Sequence, residues 1–418
     1  MDSDSSTTSP TILTLPLEIT DHILDCVASQ RVKKVRANLA SCSLVCRRWV
    51  YQSRSNFFRD CRLLVHQSNA LAFAALLRSP YCTILPHVRR LTMLMNSWSL
   101  AFDDISDDLR LLVAVDSLKL SGSCWAAHGA PPRRGFMSSL AGVVELEINC
   151  PNMGDLDHTS LVISAFPALR RLTVHQFSIP ENDLEFLTYT PPTWIQPNED
   201  HLRPQQLSSL CITCPALMPV LAWLNWAGSS RVTRLELSFG SLSVTLPLRN
   251  YLHGLSHSLE YLTIRSRSLV EPRDVHQNFD LTDFTNLRAV HFEHLHQPEP
   301  GCLRRSLLPI LESITSPELE TLAFAFEEPK LHNDPRSWPF LDRFFCQSQL
   351  PGLKTVQFSG PAVQPGVDHA LRTWLPRTDA MGILNIQISR LPPTAPEEDP
   401  QVVADESLAF ISGFLVTS

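Results

Sequence analysis

The sequence predicts an α/β fold in which short strands and helices alternate as stacked units, preceded by a small helical segment. Three observations lead to this prediction. An apolar pattern of three residues recurs eleven times at similar spacings, and two short apolar helical segments precede its first occurrence. Apolar residues also make up 44% of the 418 residues, which is enough to bury a core along a long array.

The first ordered element is predicted to be a short amphipathic helix that begins near Pro16. The fixed φ of proline suits a first helical turn. Apolar side chains then recur with helical spacing at Ile19, Ile23, Cys26 and Val27, so they form one stripe.

A second apolar segment lies between residues 39 and 49. Its apolar side chains share one helical face: Leu39, Cys42, Val45, Cys46 and Trp49. Two or three short helices in roughly 45 residues make a core too small to be stable alone. We therefore expect the exposed apolar edges of this segment to need a partner.

These two segments resemble the F-box family. The matching residues are Leu15-Pro16-x-Glu18-Ile19, then Ile23-Leu24, then Cys42-Ser43-Leu44-Val45-Cys46-Arg47-x-Trp49. A basic stretch between the two halves departs from the family pattern. The resemblance implies a three-helix F-box that docks onto the Skp-type adaptor of a Skp–cullin–F-box ubiquitin ligase. It carries over an adaptor-binding set: Leu15, Pro16, Ile19, Leu24, Leu44, Val45 and Trp49. The alternative is an ordinary helical cap on the array.

The array is predicted from the pattern apolar-x-x-apolar-x-apolar. The pattern begins at Val88, Val115, Val143, Leu169, Leu207, Val232, Leu259, Leu287, Leu319, Leu353 and Met381. Most successive starts lie 25 to 28 residues apart, within the range of leucine-rich repeats. One unit cannot bury its own apolar side, so the units must stack. We expect a curved leucine-rich-repeat-like α/β solenoid of about eleven strand–helix units with a parallel sheet.

The chain divides into five predicted regions: a disordered amino terminus (1–11), the F-box (12–58), the solenoid (59–390), a linker (391–400) and a carboxy-terminal capping segment (401–418). A first strand is predicted at Arg62–Val65. The run from this strand to Leu91 resembles the F-box proteins abundant in mushroom-forming fungi.

Helices between the strands are predicted over residues 68–79, 104–115, 218–227, 301–316 and 368–375.

The candidate binding surface follows from strand geometry. Successive side chains of a strand point to opposite faces, so the residues between the apolar positions share one exposed face. We predict that this face binds a protein substrate, and the alternative is a solvated face without a partner. The predicted substrate-binding residues are Arg171, His175, Arg234, Glu236, Tyr261, Arg265, His291 and Glu293. Four further charged residues lie on the same face: Arg90, Lys119, Glu145 and Glu147.

Catalytic and metal chemistry find little support in the sequence. Phosphate-binding glycine loops, G-x-S-x-G and H-E-x-x-H are all absent. Cys211-x-x-Cys214 lacks the second pair that a structural zinc site needs. His291, His294 and His296 crowd one strand end, but strand parity separates His291 from the other two, so a metal-dependent hydrolase built on them is a remote alternative. We expect no catalytic residue, metal or cofactor, and hence no enzyme.

Composition narrows the partners and the compartment. The net charge of −7 argues against nucleic acid as the main partner, because binding to phosphate groups needs an excess of basic residues. No apolar run approaches the roughly 20 residues of a membrane span. Eleven scattered cysteines favour a reduced cytoplasmic or nuclear compartment. The resemblance to the F-box family implies a substrate-recognition adaptor of a Skp–cullin–F-box ligase, whose partners are the Skp-type adaptor, cullin through it, and an unknown protein substrate that the solenoid is expected to bind. The alternative is an F-box protein that works outside a ligase as a protein-binding scaffold.

Overall fold

The computed structural model describes residues 16–30, 35–59, 62–66, 68–80, 82–94, 104–122, 139–149, 162–175, 206–213, 217–226, 231–239, 246–266, 279–295, 307–326, 337–346, 350–361 and 367–389. Its helices are α1 (Leu17–Ala28), α2 (Val35–Ser43), α3 (Arg47–Arg59), α4 (Ala70–Arg78), α5 (Ser106–Leu109), α6 (Leu217–Trp226), α7 (Leu246–Gly254), α8 (Leu308–Glu312), α9 (Trp338–Phe345), α10 (Val367–Trp374) and α11 (Pro376–Ala380). The regions predicted as amino terminus (1–11), linker (391–400) and capping segment (401–418) lie outside these residues.

The strands form one parallel sheet in chain order. They are β1 (Arg62–His66), β2 (Arg90–Leu94), β3 (Ser117–Ser121), β4 (Glu145–Asn149), β5 (Arg171–His175), β6 (Ser209–Thr213), β7 (Arg234–Phe239), β8 (Tyr261–Ser266), β9 (Ala289–Leu295), β10 (Thr321–Phe326), β11 (Thr355–Pro361) and β12 (Leu384–Ser389). Each strand pairs only with its sequence neighbours. The predicted curved α/β solenoid is confirmed, with all eleven predicted strands and the predicted first strand β1.

The sheet has two chemically different faces. In β4, Leu146 and Ile148 are buried against the helix side, whereas Glu145 and Glu147 point to the other side and are half-exposed. The same alternation runs along β3 to β6, since the strands pair in register. We call the helix-covered side the core face and the other side the open face. The core is one cluster that runs from Phe58 to Leu375.

Consecutive units are locked together by a regular backbone arrangement where each strand begins. Two successive N–H groups donate to a single carbonyl of the preceding unit. Arg170 and Arg171 donate to the Val144 carbonyl at 2.9 and 3.0 Å, and Ser208 and Ser209 donate to the Arg170 carbonyl at 2.9 Å each. The arrangement recurs at the starts of β3 to β11, so each unit fixes the register of the next.

Most predicted helices are present, with one clear exception. Residues 104–115 form a helix only at Ser106–Leu109, so the predicted second half is wrong. Arg78 of α4 holds Asp108 through two hydrogen bonds of 2.6 and 2.7 Å. After that anchor, Leu112 and Val115 reach the core from turns rather than from a helix. Among the described residues, α7, α9 and α11 were not predicted.

The helices α1 to α3 pack on one another as a small bundle, which we call the helical module (residues 16–59). Asp25 of α1 accepts hydrogen bonds of 2.8 Å from Asn56 and Gln52 of α3. The bond from Asn56, and then that from Gln52, lower the pKa of Asp25. The apolar segment between residues 39 and 49 is split, because α2 ends at Ser43 and α3 begins at Arg47.

Candidate adaptor and partner interfaces

The helical module exposes several aliphatic side chains to solvent. Leu44 and Val45, in the turn between α2 and α3, are 73% and 62% exposed. Three side chains of α1 are also exposed: Leu17, Ile19 and Ile23. We call these five residues the module surface. Exposed aliphatic side chains in this number on a small bundle are typical of a site that another protein covers.

The exposure of α1 follows from which residues point inward. Thr20 and Leu24, one helical turn apart, are buried against the rest of the module. Ile19 and Ile23 lie one position earlier, so they are rotated by about 100° and face outward. Thr20 tolerates burial because its hydroxyl donates to the Pro16 carbonyl at 3.2 Å. The apolar stripe seen in the sequence is therefore an outer stripe.

The predicted adaptor-binding residues occupy different environments. Pro16, Ile19, Leu44 and Val45 are exposed, and Trp49 is half-buried. Leu24 is fully buried beneath the surface, and Leu15 lies outside the described residues.

The predicted adaptor-binding set leaves out three exposed side chains of the helical module: Leu17, Ile23 and Tyr51. Leu17 and Ile23 lie in the segment that resembles the F-box, so the signal for them was present. Tyr51 also contacts the ring of His87 edge-on, with 4.8 Å between centroids.

The open face carries one ion-pair network over β3 to β5. The Lys119 ammonium lies 2.5 Å from a Glu147 carboxylate oxygen, and the same oxygen is 3.9 Å from His175. Burial lowers the pKa of His175, and Glu147 partly opposes that shift. Arg171 pairs with Glu145 beside this network.

A second network crosses β6 to β9. Arg265 pairs with Glu236 and, at 2.5 Å, with Glu293. The Cys211 thiol donates to a Glu236 oxygen at 3.1 Å. Burial, followed by the hydrogen bond to Glu236, raises the pKa of Cys211 to about 12. Cys211 was not among the predicted binding residues, because in the sequence it was weighed only as a zinc ligand.

A third group lies at the beginning of β7 and β8. The Arg234 guanidinium lies 5.0 Å from the centroid of the Tyr261 ring, a cation–π geometry. His291 is nearby on β9, where burial lowers its pKa and Arg234 adds to that shift. All eight residues predicted for substrate binding thus lie on the open face, but they are divided among three groups.

The open face changes character at β10. Its outward residues from β10 to β12 are uncharged: Thr321, Ala323, Ala325, Thr355, Gln357, Ser359, Asn385 and Gln387. The described charged side chains of this face therefore belong to β2 through β9. A partner that recognises charged side chains would therefore contact strands β2 to β9.

Of the three histidines weighed as metal ligands, only His291 has a described side chain. His291 and His294 lie on β9, whose pairing with β10 is irregular near its end, and His296 and Cys214 fall outside the described residues. No group of three or more potential ligands was found among the residues with described positions. None of the described helices has both the length and the apolarity to cross a bilayer.

No protein-family model matches the chain, and no curated protein matches it significantly. The resemblance to the F-box family therefore stands on the residues quoted above.

The chain is similar to several solved structures, among them the following three. A leucine-rich repeat-containing protein, LegL7 from Legionella pneumophila, is 13% identical, with 84% of this chain and 98% of that chain covered and a TM-score of 0.45. A protein from Bacteroides fragilis is 13% identical, with 79% and 74% covered and a TM-score of 0.36. A chain of the yeast Rad7 and Elc1 complex is 12% identical, with 86% and 85% covered and a TM-score of 0.37. Similarity at this level does not bear on function.

Proposed function

We propose that this protein is a substrate-recognition adaptor of a Skp–cullin–F-box ubiquitin ligase, working in the cytoplasm or nucleus. The observation that carries the proposal is the module surface, where five aliphatic side chains are exposed on a bundle of three short helices. Burial of one such side chain contributes about 1.5–3 kcal/mol. A Skp-type adaptor that covered Leu44, Val45 and Ile19 would stabilise the complex by up to this amount for each side chain.

The open face is the proposed site for the protein target. It is a continuous polar surface of parallel strands, and its charged side chains are held in fixed positions by neighbouring strands. Preorganised side chains lose little conformational entropy when a partner binds. This favours a recognition surface over a solvated face.

The joint between the helical module and the solenoid supports action by proximity. Phe58 of α3 belongs to the same core cluster as Leu63 and Val65 of β1. Arg54 of α3 also donates to Thr83, in the segment before β2. A target on the open face would therefore be held at a constrained position relative to the ligase, which raises the effective concentration of its lysines without any catalytic residue here.

The test is co-purification of the full chain with a purified Skp-type adaptor and its cullin. We expect the wild-type chain to co-elute with both, and Leu44→Asp/Val45→Asp to lose both, because a charge at each position would be buried in the contact. Val113→Asp is the matched control, since Val113 is an exposed aliphatic residue of the solenoid.

The three chains should show equal circular dichroism and melting temperature, because all the substituted side chains are exposed. Adaptor binding that survives in the double variant, or is absent in the wild type, contradicts the proposal. Binding of the adaptor without cullin would instead indicate a scaffold outside a ligase.

A further inference from the structure

The two edge strands of the sheet, β1 and β12, differ in how their outer backbone groups are satisfied. At β1, the Asn69 side chain binds the outer edge. Its amide group donates to the Leu64 carbonyl at 3.2 Å, and its oxygen accepts from the His66 N–H at 2.8 Å. A further strand would have to displace both hydrogen bonds, so the β1 edge is closed to strand pairing.

The edge at β12 carries backbone groups that no other described strand pairs with. The Val356 N–H of β11 donates to the Ile383 carbonyl at 2.8 Å, just before β12 begins. Backbone groups alternate in direction along a strand, so every second residue after Ile383 turns its N–H and C=O toward β11. The residues between them turn these groups outward: Leu384, Ile386 and Ile388.

Strand β12 also lacks the residues that usually protect a sheet edge. Its sequence, Leu-Asn-Ile-Gln-Ile-Ser, contains neither a charged residue nor a proline. Leu384 and Ile386 take the core positions that Val356 and Phe358 take in β11. The two β11 side chains are 0% and 3% exposed, whereas Leu384 and Ile386 remain partly exposed. The described structure therefore leaves both backbone groups and apolar surface to be covered at this end.

The backbone of β12 matches a second copy of itself. When two β12 strands run antiparallel with Ile386 at the centre, Ile386 lies opposite Ile386 of the second copy, and Leu384 lies opposite Ile388. Opposed residues whose backbone groups face each other exchange two N–H···O bonds. The three outward residues of each copy would therefore form six hydrogen bonds between the strands.

The side chains match in the same register. Asn385 and Gln387 lie on the open face, and each would lie opposite the other type of amide in the second copy. The Gln387 oxygen accepts from the Gln357 amide at 3.3 Å, so the Gln387 NH2 group can donate across the new contact. On the core face, the partly exposed Ile386 side chains of the two copies would cover each other. Apolar residues thus meet apolar residues, and amides meet amides.

We propose that two copies of this chain form a symmetric dimer by antiparallel pairing of their β12 strands, which joins the two sheets into one. The contact uses the same surface of both copies, so it is complete at two subunits. Growth into a filament would require β12 of one copy to pair with β1 of the next, and the hydrogen bonds of Asn69 block that edge. The dimer presents two open faces, and it does not depend on the proposed ligase role.

The test is sedimentation velocity of the full chain and two variants over a concentration series. Asn385→Lys/Gln387→Lys places lysine opposite lysine at both amide pairs. Asn385→Lys/Gln387→Glu is the matched control, because it changes the same two positions but places lysine opposite glutamate. Both side chains are at least partly exposed on the open face, so all three chains should have equal circular dichroism.

We expect the wild type and the control to form dimers, and the lysine variant to dimerise about tenfold or more weakly, because like charges directly opposite each other repel. Equal association of the two variants, assemblies larger than a dimer, or a wild type that stays monomeric up to about 100 µM overturns the proposal. A chain that lacks residues 390–418 identifies the other occupant of the edge. Dimers that form only after this removal would show that residues 390–418 cover β12 instead.

Discussion

Single residues on the open face owe their chemistry to neighbours on other strands. Cys211 and Glu236 are 25 residues apart in sequence but adjacent in the sheet, and the thiol donates to the carboxylate. The same holds for Arg265 and Glu293, 28 residues apart. The in-register pairing of neighbouring strands therefore decides which of these residues meet.

The raised pKa of Cys211 predicts slow alkylation. With a pKa of about 12, the thiol is neutral at pH 8, and roughly one molecule in ten thousand carries the reactive thiolate. Cys46 is exposed and serves as the internal reference. Iodoacetamide labelling followed by peptide mass spectrometry should show Cys211 reacting far more slowly than Cys46.

A substitution can distinguish two reasons for slow alkylation of Cys211: its raised pKa and limited access of the reagent to the thiol. Glu236→Gln removes the carboxylate that raises the pKa of Cys211, while the shape of the side chain hardly changes. We expect Cys211 in this variant to react severalfold faster at pH 8. An unchanged rate would assign the slow reaction to inaccessibility alone.

At the scale of elements, Gly352 marks a close approach between the unit that carries β11 and the preceding unit. A Cβ added to Gly352 would lie 2.5 Å from the Pro317 carbonyl oxygen and 3.1 Å from that of Leu319. Both atoms belong to the backbone of the preceding unit. The unit that carries β11 can therefore approach its neighbour only because this position lacks a side chain.

Gly352→Ala is expected to destabilise the protein by about 1–3 kcal/mol, because two backbones must move apart. Gly142→Ala is the matched control, since its added Cβ would come no closer than 3.8 Å to the Val115 carbonyl oxygen. Urea denaturation measures both. Equal stability of the two variants would mean that the units around β11 separate at little cost.

Aromatic stacking adds to the cohesion of the same region. Phe324 of β10 lies between Phe292 of β9 and Phe358 of β11, with ring centroids 5.6 and 5.1 Å away. The three rings occupy the same position in successive strands, so the core face carries a ladder of stacked rings. On the open face of β10 and β11, by contrast, no described ion pair joins the outward side chains.

At the scale of the whole molecule, the helical module and the solenoid share one core. Phe58 is buried with the first strand, so α3 closes the amino-terminal end of the array. Each unit contacts chiefly its neighbours, as in other stacked repeats. A destabilising substitution at this joint should therefore affect the neighbouring helices and strands and leave distant units unchanged.

Phe58→Ala is expected to lower the free energy of unfolding of the structure around Phe58 by about 3–5 kcal/mol. Hydrogen exchange measured by mass spectrometry should show faster exchange in α3, β1 and β2, and unchanged exchange in β8 to β11. Leu71→Ala is the control, because Leu71 is exposed on α4 and should alter nothing. Faster exchange along the whole sheet would show instead that the protein unfolds as a single unit.

The sequence by itself determined the repeating fold. The apolar triplets at Val88 to Met381 place two or three side chains per unit on the core face, and their usual spacing of 25 to 28 residues is typical of a leucine-rich-repeat-like array of strands and helices. The alternation of residues within each strand likewise predicted which side chains share the open face. These features are local in sequence, and burial of apolar surface enforces them.

Only the tertiary structure decided which of these residues act together. That Leu24 points inward while Ile19 points outward depends on how α1 rotates against α3. That Arg234 lacks a carboxylate partner among the described residues while Arg265 has two depends on which side chains the register places side by side. Periodicity fixes the face on which a side chain lies, but charge pairing depends on distances between chain segments far apart in sequence, and these exist only after the units stack.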